Sequence, residues 1–168
     1  MSAFFSANRT HRYALTRDIE PKAAGYAMFI GLNPSTADET NDDPTIRRCI
    51  NFAKSWGYGR LVMTNLFSLR ATDPRVMKAC AAPSDKANDD QLLISAANAG
   101  IIIAAWGVHG VHLNRELQVR QLMYAAGVTL HCLGLTKGGH PKHPLYLRAE
   151  TEPVVFCAID ATMEGNNG

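Results

Sequence analysis

A chain of 168 residues has room for one domain, which buries about two-thirds of the surface that its unfolded form exposes. Apolar residues make up 46% and charged residues 19%, which excludes a disordered chain, and no apolar run approaches the ~18 residues of a membrane span. Lys plus Arg number 17 and Asp plus Glu 15, so the net charge is +2 and any basic surface for a polyanion has to be local.

In chain order, residues 12–17 (RYALTR) alternate like an edge strand at the N-terminus. Residues 27–32 (AMFIGL) form the first of four short runs that are mostly apolar without strict alternation. Strands buried on both faces of a parallel sheet have this character. Asp43 before Pro44 starts a helix whose stripe is Ile46, Cys49, Ile50, Ala53 and Trp56, and Gly57 ends it. The second run is 61–67 (LVMTNLF). Ser84 is the expected cap of a helix through Ala97 that buries Leu92 and Leu93. The third run, 101–106 (IIIAAW), leads to a helix capped by Asn114 and closed at Gly127. The fourth run is 128–135 (VTLHCLGL), and 154–159 (VVFCAI) follows Pro153 as a last strand or helix. Strand and helix in alternation predict a three-layer α/β/α sandwich around a central, mainly parallel four-stranded sheet, with a possible N-terminal edge strand.

The rest of the chain adds little structure of its own. Cys49, Cys80, Cys132 and Cys157 include no Cys-x-x-Cys pair, so they read as core fillers in a reducing, cytoplasmic setting. The opening MSAFFSANRTHRYA lacks a leader pattern. Residues 1–168 are therefore expected to be one domain, with the tail 163–168 unstructured.

In open parallel α/β sheets, ligands bind beyond the carboxyl ends of the strands. The unusual polar chemistry falls in the loops on that edge. Asn33, held by Pro34 in Gly31-Leu32-Asn33-Pro34-Ser35, either closes its own turn or presents its amide in a set direction. Asn65 lies in an apolar run, where a buried amide needs a partner, in the protein or in a ligand. Residues 137–148 carry Lys137, His140, Lys142, His143 and Arg148 and no acid, which suits either phosphate tracking or a solvated basic loop. His109 and His112 lack the spacing and companions of a metal site. Asp42 and Asp43 are explained by capping, and Asp89 and Asp90 by a solvated helix face. No dinucleotide fingerprint or phosphate-loop Gly-Lys-Ser/Thr is present, so ATP- or NAD-dependent chemistry has no support.

In order and spacing, these loops resemble the uracil-DNA glycosylase superfamily. Residues 31–35 are similar to its first motif, which carries Asn-Pro in the mismatch-specific branch and Asp-Pro in the uracil-specific one. Residues 61–70 resemble the strand whose asparagine reads the base edge, and Ile103 to Gly107 the strand that ends in Trp-Gly. His140-Pro141-Lys142-His143-Pro144-Leu145 resembles the His-Pro-Ser-Pro-Leu loop that enters the minor groove and holds a catalytic histidine. The segments GLNPSTAD, DPTIRRC, TNLFSLRATDP and PKHPLYL are more closely similar to the domain-of-unknown-function family 1643 of bacteria and phages.

The superfamily resemblance implies a DNA base glycosylase that cleaves the N-glycosidic bond of a flipped, modified or mismatched base without metal or cofactor. It implies catalytic roles for Asn33 and for His143 or His140, with His143 preferred because His143-Pro144-Leu145 keeps the register into Tyr146. Substrate-binding roles fall to Gly31, Leu32, Pro34, Ser35, Asn65, Phe67, Arg70, Trp106, Lys137, Lys142 and Tyr146, and the base would stack on Phe67, Phe29 or Tyr146. DNA, or a nucleotide or nucleoside, is the expected partner; neither a membrane nor a protein partner is expected. Asn33 departs from the carboxylate of the most active branch, because an amide cannot take a proton from water. A binding module that recognises a nucleotide or modified base without cutting it, and an enzyme of free nucleosides, are therefore the alternatives.

Overall fold

Successive side chains of a strand face opposite ways. When both sets are apolar, the strand belongs inside a sheet that is covered on both faces. β3 (Ala27–Gly31), every residue of which is buried, occupies that position. The computed structural model describes residues 1–157, and within them seven strands form one sheet. The others are β1 (Ser2–Phe5), β2 (Arg12–Asp18), β4 (Arg60–Asn65), β5 (Ile101–Ala104), β6 (Leu130–Cys132) and β7 (Val154–Cys157). Their order is β1-β2-β4-β3-β5-β6-β7.

The four expected apolar runs are β3, β4, β5 and β6, and they are parallel to one another. The sheet is nevertheless larger than four strands, and it is mixed. Three antiparallel strands extend it: β2 pairs with β4, β1 with β2, and β7 with β6. Residues 12–17 are therefore not an edge strand, because Ser2–Phe5 covers them. The 154–159 segment starts as a strand; residues 158 and 159 and the tail 163–168 lie outside the described residues.

Among the described residues four α-helices accompany the sheet: α1 (Pro44–Ser55), α2 (Pro74–Ala79), α3 (Lys86–Ala96) and α4 (Arg115–Ala125). Asp43 caps α1 as expected, accepting from the Ile46 N–H at 2.9 Å, with Pro44 in the first turn and Gly57 beyond the end at φ +85°. The cap of α3 is Asp85 and not Ser84; the Ser84 hydroxyl instead accepts from Asn88. Asn114 stands at the start of α4, but in the left-handed region (φ +58°) and without a side-chain capping bond. The loop after β5 is wound into 3-10 turns over Gly107–Asn114.

Buried apolar residues form two clusters. One joins Ile46, Cys49 and Phe52 of α1 to Phe29, Leu61 and Ile103. The other joins Leu92 of α3 and Val119 and Met123 of α4 to Met28, Ile30 and Ile102. Cys49 and Cys132 are fillers of this kind, and Cys80 is only half-buried. Asp89 is not a plain solvated residue: it holds the nearly buried Arg115 at 2.6 Å.

Candidate functional site

Where parallel strands end, their last carbonyls and the loops beyond them have no further ladder to join, so side chains and loop amides complete the bonding. Here the completion ties the four loops in two pairs, after β3 with after β4 and after β5 with after β6. The Asn33 amide donates to the carbonyls of Ala71 (2.8 Å), Pro34 (3.2 Å) and Leu69 (3.4 Å). The Ala71 N–H donates to the Pro34 carbonyl at 2.8 Å, and the Gly107 N–H to the Pro141 carbonyl at 2.9 Å. Two buried polar residues secure the end of β4: Asn88 donates to the carbonyls of Asn65 (3.0 Å) and Leu66 (3.1 Å), and Arg115 to that of Leu66 (2.7 Å).

These braced loops enclose a cavity of about 850 Å³, within the range typical of small-ligand sites. The structure brings Gly31, Leu32, Asn33, Ser35, Asn65, Trp106, Lys142, His143 and Tyr146 together in its wall. Five further candidates do not line it. Phe67 is buried in the core against His112, with ring centroids 5.7 Å apart. Pro34 serves through its carbonyl. Arg70 lies in a neighbouring groove with Arg9, where both guanidiniums sit over the Phe5 ring. Lys137 is exposed. His140 lies 3.5 Å from Glu116, the acceptor of the Trp106 indole N–H. Phe29, the other candidate for base stacking, is buried against Trp56.

Asn65 is 2% exposed, and its Nδ2 has no hydrogen-bond partner in the protein. Leaving a buried donor unpaired costs about 1–3 kcal/mol. Gly31 is what admits the amide to this position: a Cβ there would lie 2.7 Å from Asn65 Oδ1 and 2.8 Å from Met63 Cε. His143 Nδ1 accepts from the Leu145 N–H at 3.2 Å, which places the proton of the neutral ring on Nε2. Burial lowers the His143 pKa and Asp43 partly offsets the shift, so the environment favours the neutral ring. Tyr146, 86% exposed, stands at the mouth with its ring 5.7 Å from that of His143. Trp106 is 1% exposed in the wall.

Sequence reasoning missed Arg12, Asp43 and His109 as members of the lining. Arg12 is 2% exposed; burial pushes it down to about 10, and its Nε is unpartnered while Nη1 donates to the Ala37 carbonyl. His109 accepts from Lys78 at 2.9 Å; its pKa is lowered by burial first and by that ammonium second. Among the described residues no group of three His, Cys, Asp or Glu side chains has the placement to hold a metal ion.

The family model described as protein of unknown function (DUF1643) matches residues 12–145. The chain belongs to this family. No curated protein and no solved structure matches it. The DUF1643 match begins at Arg12 and includes every residue of the cavity wall except Tyr146 and Leu147. No helix among the described residues is long and apolar enough to cross a membrane.

Proposed function

We propose that the protein is a DNA base glycosylase-like enzyme that acts on the N-glycosidic bond of a flipped, modified or mismatched base. The observation that carries this reading is the unpaired Asn65 amide nitrogen, buried in the wall of a cavity that His143 also lines. A heterocycle with a carbonyl edge supplies the acceptor that Asn65 lacks. The base departs with a negative charge, and the Nε2–H of His143 is the kind of donor that stabilises its oxygen. Extruding the nucleotide from the duplex costs a few kcal/mol. Exposed Tyr146 and Leu145 at the mouth suit the space the base vacates, and Lys142, Lys137 and Arg148 suit the flanking phosphates. In this reading the two apolar clusters are the outer contacts of a three-layer sandwich of the uracil-DNA glycosylase type, and the reaction asks for no metal or cofactor.

The test is incubation with single- and double-stranded DNA carrying uracil, thymine mismatches or hypermodified pyrimidines. Release of a free base that is lost in His143→Ala supports the proposal; absence of release from every DNA overturns it. One observation favours a second reading, a binding module without turnover: the Asn33 amide nitrogen is spent on backbone carbonyls, in a bracing role. Salt-dependent DNA affinity without product distinguishes that case.

A further inference from the structure

We propose, resting on the reading above, that Asp43 is the proton acceptor of the cavity: the carboxylate that deprotonates the water attacking the sugar as the base leaves. Capping alone accounts for only half of this side chain. Its Oδ1 accepts from the Ile46 N–H at 2.9 Å, while no described residue makes a hydrogen bond or ion pair with Oδ2. Asp43 lines the cavity, and it is the single carboxylate among the lining residues. Asn33 cannot do this work, since an amide has no basic site and its nitrogen is committed to the loop braces.

Two independent features show that the cavity is built for a polar ligand and is not merely the end of a helix. Asn65 Nδ2 and Arg12 Nε are both unpartnered, on side chains 2% exposed, in the same wall. Asp43 acts electrostatically on two of its neighbours there, raising the pKa of both Arg12 and His143 against the effect of burial. The charged and ionisable side chains of the lining are Arg12 from β2, Asp43 before α1, His109 after β5, and Lys142, His143 and Tyr146 after β6.

The step balances as a hydrolysis. The water oxygen bonds to the anomeric carbon as the C–N bond breaks, and the bonding pair leaves with the base. The water proton passes to Asp43 Oδ2. Asn65 Nδ2–H and His143 Nε2–H stabilise the anionic base until it takes up a proton, and the proton on Asp43 returns to solvent.

Asp43→Asn and Asp43→Ser both keep a good helix cap while removing the basic site. The experiment compares single-turnover base release, DNA affinity and melting of the wild-type chain and both variants on whichever DNA of the panel the wild type processes. Loss of release by about 10²–10⁴-fold in both variants, with affinity and melting retained, is the expected result. NMR titration of His143 in Asp43→Asn should show its pKa falling further. Unchanged release in Asp43→Asn, or a loss that merely follows a fall in melting temperature or affinity, overturns the assignment and leaves the glycosylase reading standing. Absence of base release by the wild type on every DNA overturns both.

Discussion

Asn65→Ala removes a donor that the folded protein leaves unpaired, so its effects on stability and on binding should part company. A buried orphaned donor costs about 1–3 kcal/mol, and its removal relieves that cost. The same truncation deletes contacts beside Gly31 and Met63, which act in the opposite direction. The two nearly cancel, and the folding stability measured by urea unfolding should stay within about 1 kcal/mol of wild type. Binding has no such compensation. A ligand carbonyl left facing an empty wall loses about 1–3 kcal/mol, or roughly 5- to 150-fold in affinity. The assay is calorimetric titration with DNA carrying the base that the wild-type chain retains best, alongside the urea curves. A fall in stability of more than about 3 kcal/mol with affinity unchanged would refute the reasoning, because Asn65 would then be a core residue.

Gly31→Ala should push Asn65 and Met63 out of place, since its Cβ falls 2.7 and 2.8 Å from their atoms; overpacking of this kind costs about 1–3 kcal/mol in urea unfolding, and ligand affinity should fall with it. Asn88→Ala should cost about 1–3 kcal/mol by removing the side-chain donor to the Asn65 carbonyl and leaving that of Leu66 to Arg115 alone, with amide exchange accelerated at the end of β4. Asp38 is held down to about 2 by the N–H groups of Thr40 and Asn41. Its folded value lies below its unfolded value, so its contribution is present above pH ~4 and is lost as the pH falls toward about 2. Asp38→Asn should therefore flatten the acid limb of a melting-temperature profile in that window and leave its shape near neutrality unchanged.

The parallel centre of the sheet was legible because its strands are apolar on both sides, and the cavity because the polar loops all follow those strands. The antiparallel additions were legible only in part: 12–17 read as a strand and 154–159 as a strand or helix, but β1 was missed, and with it the burial of β2 inside the sheet. β2 carries Arg12 and Arg17, each 2% exposed, and charged residues ordinarily signal a solvated strand. Arg17 is buried only because Asp42 and the carbonyls of Asp38 and Asn41 take its guanidinium, and those partners lie in a distant loop. The short helix α2 did have a signal: Asp73-Pro74 repeats the cap-and-proline pattern of Asp43-Pro44. The choice between His140 and His143 turns on what each ring touches. Glu116 lies beside one and the Leu145 N–H binds the other, and neither contact follows from spacing. Asp43 was read as a cap, correctly but incompletely, because only the fold carries the 43–46 turn up to the loop after β6.

A direct test of the central claim, that Asn65 and His143 share one slot for a flat heterocycle, is an NMR titration of the wild-type protein with uracil, thymine, cytosine, adenine and guanine in turn. For at least one base the account predicts saturable shifts, with a single midpoint, at the Asn65 side-chain amide and the His143 ring, while Lys137 and His140 stay silent. Shifts confined to the Arg9–Arg70 groove, or none at Asn65 with any base, would contradict it.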